Sequence, residues 1–210
     1  MTKLIRNLLI IIVVFSNVSL AFGDRLAHLR TNKKIITVAD ISAPYFTIQM
    51  VALKLPPGEP AFFRDVDKVY EFVCADGFVR YTVGRFNTKD EATQQISKYE
   101  ALGYKDLFVV DTRHLKLTRT DYQPSSNAIG PLAGVTYTVQ LAAYRFPVYV
   151  TDFEGFDKVS EYYMKDRIYR YCVGSFDGSV ANVELEKIKK MGFPDAFLVP
   201  QEKYEPFRIE

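Results

Sequence analysis

The chain of 210 residues carries one succession of motifs twice, and this internal repeat constrains its fold more than any other feature. The phrase RYTVGRF at 80–86 returns as RYCVGSF at 170–176. Three more pairs match in the same order: FTIQMVAL (46–53) with YTVQLAAY (137–144), DKVYEF (67–72) with DKVSEY (157–162), and GYKDLFVV (103–110) with GFPDAFLV (192–199). Solenoid repeats are about 20–50 residues long, which is well below this period. The sequence therefore predicts two tandem copies of one small domain.

Each copy is predicted to open with a strand and to continue into a hairpin. FTIQMVAL alternates as a strand with one buried face, which carries Ile48 and Met50. Its other face carries Thr47, Gln49 and Val51. Two β-rich runs then flank Asp76-Gly77, a dipeptide that favours tight turns, whereas the second copy turns at MKDR (164–167). A Pro-rich, non-helical stretch separates the first strand from the hairpin in the first copy.

A helix and a last short strand complete each copy. Thr88 and Glu91 form a capping box, and Gly103 and Gly192 are C-terminal stops. One face of the two helices is marked by Ala92, Ile96, Tyr99, Ala181, Leu185 and Ile188. A single helix covers only one face of a small sheet, so the opposite face is predicted to be open or to belong to a partner.

That open face is the candidate binding surface. Strand alternation turns Tyr81 and Val83 toward the helix and Arg80 and Thr82 away from it, and the second copy follows the same rule. Amide, hydroxyl and guanidinium groups on a rigid sheet suit sugars, because their hydroxyls need partners that donate and accept. The structural alternative is that these are solvated strand residues. The candidate residues are Thr47, Gln49, Arg80, Thr138, Gln140, Arg170 and, depending on the hairpin register, Tyr163.

The order YTVQLAAY, YRYCVGSF, helix, DAFLV resembles the SPOR (sporulation-related repeat) domain, and the chain looks like two divergent copies over 43–113 and 135–205. The resemblance implies an α+β fold of two ferredoxin-like units, each a mainly antiparallel four-stranded sheet with one helical face. The first helix of the family is reduced or absent here. It also implies binding of peptidoglycan glycan strands that lack stem peptides, with Gln49 and Gln140 in the glycan groove.

The N-terminus indicates export. Lys3 and Arg6 precede the apolar run LLIIIVVF (8–15), and small and polar residues follow to Gly23. The run is shorter than the roughly 20 residues that span a bilayer, so a signal peptide over 1–23 is predicted, with an uncleaved anchor as the alternative. The mature chain is expected in the periplasm or cell envelope, without stable membrane insertion. It comprises a leader (24–42), a linker (114–134) and a C-terminal tail (206–210) around the two units.

Other function classes are disfavoured. The net charge of +2 provides no basic stripe for nucleic acid, and the two histidines, His28 and His114, lie outside the repeats without metal-ligand spacing. No cofactor is predicted. The paired acids of each copy (Asp67 with Glu71, Asp157 with Glu161) are interpreted as a turn residue and an exposed strand charge rather than as a catalytic pair.

Two further points stay open in the sequence. Cys74 and Cys172 fall at non-equivalent positions of the copies and are interpreted as buried thiols, with a bridge between the copies as the alternative. The leading functional hypothesis is a non-catalytic envelope protein that binds glycan. The alternative is an envelope protein–protein adaptor that uses the same sheet faces.

Overall fold

The computed structural model describes residues 24–120 and 130–209, so the predicted signal peptide and the middle of the predicted linker lie outside the described residues. The chain is an α+β protein. Its strands are β1 (Lys34–Thr37), β2 (Phe46–Leu53), β3 (Lys68–Val73), β4 (Val79–Phe86), β5 (Phe108–Asp111), β6 (Thr136–Tyr144), β7 (Ser160–Tyr163), β8 (Tyr169–Asp177) and β9 (Phe197–Pro200). Its helices are α1 (Lys89–Gln94), α2 (Ile96–Glu100) and α3 (Gly178–Lys190). Within the two described ranges, none of the helices has the length and apolar character needed to cross a bilayer.

All nine strands belong to one open, mixed sheet with the order β5-β2-β4-β3-β1-β6-β8-β7, and β9 pairs with β6. The pairing is antiparallel except between β1 and β3. The two halves have the same internal order, β5-β2-β4-β3 in the first and β9-β6-β8-β7 in the second. The repeat in the sequence is therefore a repeat in strand order.

Strand β1 joins the two halves, although the sequence predicted no element in the leader. It pairs in parallel with β3 and meets β6 at Ile36 and Tyr144. Ile35 is 1% exposed and lies in the core of the first half, whereas the next residue, Ile36, packs against the core of the second half. Because side chains alternate across a strand, a segment of four residues contributes to both cores.

The two halves face opposite ways. Because β1 runs parallel to β3 and antiparallel to β6, equivalent strands of the two halves run in opposite directions. Because the strand order is the same in the two halves and the strand direction is reversed, the halves are related by a half-turn. The axis of this rotation lies in the plane of the sheet and is perpendicular to the strands. Consequently α1 and α2 cover one face of the sheet and α3 covers the other. The non-helical side of each half thus lies beside the helical side of the other.

Most local predictions are confirmed. Tight turns join β3 to β4 and β7 to β8 at the predicted positions. Thr88 Oγ1 accepts the backbone N–H of Glu91, as the capping box predicts, whereas the Glu91 carboxylate accepts the N–H of Asn87, one residue before the N-cap. Val51 is an exception. A register shift between Gln49 and Val51 turns Val51 toward the first core instead of the opposite face.

The glycine of the repeated phrase has a steric cause. Gly84 and Gly174 have φ values of +71° and +73°, in the left-handed region that favours glycine. A Cβ atom at Gly84 would lie 2.4 Å from the ring of Phe86, and one at Gly174 would lie 2.1 Å from the ring of Phe176. The Val-Gly-x-Phe pattern recurs because each phenylalanine ring packs where a side chain at the glycine would be.

Candidate functional site

The predicted open face of the second half is covered by the C-terminal segment of the chain. Tyr204 is fully buried, and its ring centroid lies 5.5 Å from that of Tyr162 in a T-shaped contact. The Tyr204 hydroxyl donates a hydrogen bond of 2.6 Å to Oε1 of Gln140. Farther along, the N–H of Ile209 donates to the carbonyl of Glu161. Gln140 is 3% exposed, so its amide oxygen serves the fold and does not face solvent.

The same face of the first half is also largely closed. The chain leaves β5 through a 3₁₀ turn at Thr112–His114, and Leu117 then forms a bridge with Cys74 beside the end of β3. Thr47 is 2% exposed, and its hydroxyl lies 2.8 Å from that of the fully buried Thr82. Gln49 remains half-buried. The expectation of two bare sheet faces is therefore wrong for the second half, where the C-terminal segment covers the sheet, and in the first half the strand-one hydroxyl is buried as well.

The strand-one threonines hold strand backbones together. The hydroxyl of Thr47 also donates to the carbonyl of Val83 at 3.1 Å, and that of Thr138 donates to the carbonyl of Val173 at 3.0 Å. Both threonines are 2% exposed. Their predicted orientation away from the helix is correct, but a ligand would find these hydroxyls already engaged.

The predicted arginines clamp the hairpin turns. Arg80 makes two hydrogen bonds to the carboxylate of Asp76, at 3.0 and 2.6 Å. Arg170 binds Asp166 in the same way, at 2.9 and 2.6 Å, and is 4% exposed. The bonds from Arg80 hold the pKa of Asp76 at about 2. The arginine of the repeated phrase thus fixes a turn through a bidentate pair, which is a structural role.

The strand glutamates are buried, which corrects their interpretation as exposed charges. Glu71 and Glu161 are both fully buried. Glu71 accepts a hydrogen bond from the Tyr81 hydroxyl at 2.8 Å and two from Arg145, at 2.9 and 2.6 Å. Arg145 belongs to the second half, so this ion pair crosses between the halves.

The second half contains an equivalent arrangement. Glu161 accepts from the Tyr171 hydroxyl at 2.6 Å and from Arg30 of the leader at 2.9 Å. Burial, together with the neighbouring carboxylate, raises the pKa of Tyr171. In each half, therefore, a buried tyrosine–glutamate pair is completed by an arginine that the half itself does not supply.

A groove of about 1060 Å³ lies between the halves. Its walls come from the leader (28–31), the Pro-rich loop (55–60) and the second hairpin (166–170). Tyr163 also lines it, is 41% exposed, and has its ring centroid 4.5 Å from that of Tyr169. Of the predicted site residues, the groove brings together Tyr163, Gln140 and Arg170, and Tyr163 alone of these three is exposed.

The charged residues of the groove are mostly neutralised. The guanidinium groups of Arg30, Arg145 and Arg170 all pair with carboxylates, as described above. Arg167 differs. It is exposed, and within the described ranges its guanidinium has no hydrogen-bond or ion-pair partner. Sequence reasoning missed Arg167. The available signal was its alignment with Gly77, which puts an arginine at the glycine position of the turn.

A second groove, of about 580 Å³, lies on the other side of β1, where Thr47, Tyr70 and Arg85 line it. Arg85 donates to Asp195 at 2.7 Å and to the carbonyl of Ala43 at 2.6 Å. These contacts fasten the first half to the loop before β9. The guanidinium of Arg85, which could have offered charge to a ligand, is therefore already paired.

Cys74 and Cys172 are free thiols, and both are buried. Across residues 24–120 and 130–209 no cluster of His, Cys, Asp and Glu has the geometry to hold a metal ion. Comparison of the chain with protein-family models, with curated proteins and with solved structures found no match.

Proposed function

We propose that this chain is an exported, non-catalytic carbohydrate-binding protein of the cell envelope, and that its ligand is peptidoglycan glycan lacking stem peptides. The ligand lies in the groove between the halves and not on the sheet faces. The observation that carries this proposal is the half-exposed Tyr163, packed against Tyr169 at the wall of a groove of about 1060 Å³.

The chemistry of the groove fits a saccharide. A sugar ring has an apolar face that lies on an aromatic ring, and a tyrosine also offers a hydroxyl that donates and accepts. The loop 55–60 and the hairpin 166–170 both line the groove, and its volume of about 1060 Å³ is sufficient for sugar rings. Mixed polar and apolar walls of this kind are typical of ligand grooves.

The resemblance to the SPOR family supports the same ligand class. We infer that each half is a ferredoxin-like unit. Counted within one half, the strand order is 4-1-3-2 in both halves, which is the order that such a unit requires. The 3₁₀ turns at Pro60–Phe62 and Val150–Asp152 occupy the place of the first helix of the unit.

The buried acids support binding rather than catalysis. Each strand glutamate is paired with an arginine and a tyrosine hydroxyl, so it is not available as a proton donor or nucleophile. Glycoside cleavage needs two such groups facing the substrate.

A second candidate, a protein–protein adaptor, is favoured by one observation. Leu55, which lines the groove, is 79% exposed, and Phe62 in the same Pro-rich segment is 48% exposed. Exposed apolar side chains that form a patch favour contact with a partner chain.

Co-sedimentation with purified sacculi tests the proposal, before and after an amidase removes the stem peptides. We expect the wild type to sediment with the stripped material, and Tyr163→Ala to weaken that binding about 10-fold through loss of aromatic stacking. Tyr149→Ala is the matched control, because Tyr149 is 40% exposed and does not line the groove. Equal losses in both variants, or no sedimentation of the wild type, would refute the proposal. Retention on intact sacculi alone would show that the stem peptides are required, and would also refute the proposal.

A further inference from the structure

The two hairpin tips share one backbone conformation but differ in one residue. In both turns an aspartate oxygen accepts the N–H of the residue two positions on, Asp76 from Phe78 at 3.1 Å and Asp166 from Ile168 at 3.3 Å. The residue after each aspartate is left-handed, with φ of +82° at Gly77 and +62° at Arg167. The first half thus shows that this position suits glycine, yet the second half has an arginine there.

An arginine in this conformation is strained, because its Cβ atom crowds the backbone. The other non-glycine residues with positive φ in the described ranges are Asp65 and Asp106, and aspartate tolerates this region better. Among the described residues, the guanidinium of Arg167 has no hydrogen-bond or ion-pair partner that would offset the strain. Strained residues of this kind concentrate at functional sites.

We propose that Arg167 is a specificity-determining residue of the groove, where it pairs with a carboxylate carried by the bound saccharide. This inference rests on the proposed function and deepens it: the groove prefers acidic over neutral saccharides. A guanidinium matches a carboxylate with two parallel hydrogen bonds. The remaining arginines of the groove already have carboxylate partners. Arg167 has none among the described residues, and it lines the same groove as Tyr163.

The test compares two probes, glycan strands released from sacculi by an amidase and the same strands with their carboxyl groups converted to amides. We expect the wild-type chain to bind the native strands about 10-fold or more tightly than the amidated ones, as loss of a charged hydrogen-bonded pair implies. In Arg167→Gly this ratio should fall to about one. The melting temperature of the variant should stay the same or rise, because glycine relieves the strain.

The thermal readout separates binding from structure, since a structural role for Arg167 predicts a lower melting temperature. Lys165→Ala is the matched control. Lys165 lies on the same hairpin with its ammonium 5.7 Å from the Phe207 ring centroid, outside the groove, and its loss should leave the ratio unchanged.

An unchanged ratio in Arg167→Gly, or a loss of stability, overturns the inference. Equal binding of both probes by the wild type also overturns it and leaves the proposed function standing. If the wild-type chain binds neither probe, both this inference and the proposed function are refuted.

Discussion

Replacement of Arg145 by methionine tests whether a buried ion pair holds the two halves together. The Glu71 side chain is fully buried and that of Arg145 is 12% exposed, with their closest atoms 2.6 Å apart. Burial alone would lower the pKa of Arg145, but the hydrogen bonds and charge of Glu71 outweigh it and raise that pKa, so the pair favours the charged form. Methionine would leave the Glu71 carboxylate without its cation.

Removal of one partner of a buried pair costs about 3–5 kcal/mol, because the other charge stays desolvated. At about 2–4 °C per kcal/mol for a chain of this size, the melting temperature should fall by about 6–20 °C, measured by calorimetry. The matched control is Lys54→Met. Lys54 aligns with Arg145 in the repeat but is exposed, so its loss should change stability by no more than about 0.5 kcal/mol.

The double variant Glu71→Gln/Arg145→Met adds an independent check. With both charges removed, no ion stays buried alone, so the double variant should be more stable than Arg145→Met. A loss below about 1 kcal/mol in Arg145→Met, or an equal loss in Lys54→Met, would refute the reasoning.

Three further predictions follow from the contacts. Gln140→Ala should lower the free energy of unfolding by about 1–3 kcal/mol in chemical denaturation, because a buried hydroxyl loses its acceptor, whereas Gln49→Ala should have little effect. NMR titration should place the pKa of Asp76 at about 2, and Arg80→Gln should return this pKa toward about 4. The stabilisation from the Asp76–Arg80 pair is present above the unfolded-state pKa of the aspartate and is lost as the pH falls toward 2. Burial raises the pKa of the Cys172 thiol, so this thiol should resist a thiol reagent at pH 8 until the chain unfolds. The free energy of unfolding should decline as the pH rises above about 9, because the thiol ionises there in the unfolded chain only.

The sequence predicted the local elements well because each has a short-range cause. The alternation around Ile48, the capping box at Thr88 and the turn after Asp76 all depend on neighbours within a few positions. The segment that covers the second sheet could not be predicted in this way. Tyr204 meets Gln140 across 64 positions, and no periodicity marks a segment made of 3₁₀ turns.

The candidate site was predicted less well, because residue type alone does not distinguish a group that binds a ligand from one that binds its own fold. Gln140 and Thr138 in β6 and Arg170 in β8 are polar residues on largely apolar strands, which is also the pattern of buried groups satisfied within the chain. Tyr163, a candidate that depended on the hairpin register, is exposed at the wall of the groove, and its role stays a prediction. Arg167 required a comparison of backbone conformation between the halves.

The placement of β1 has a consequence for how the chain acquires its structure during synthesis. Its partner at Tyr144 lies more than a hundred positions downstream, so β1 emerges early but cannot complete its pairing until most of the chain has been made. Until then Ile36 and one edge of β3 remain uncovered, which invites association with other chains. We therefore expect the two halves to fold together, in one cooperative step that follows synthesis of β6.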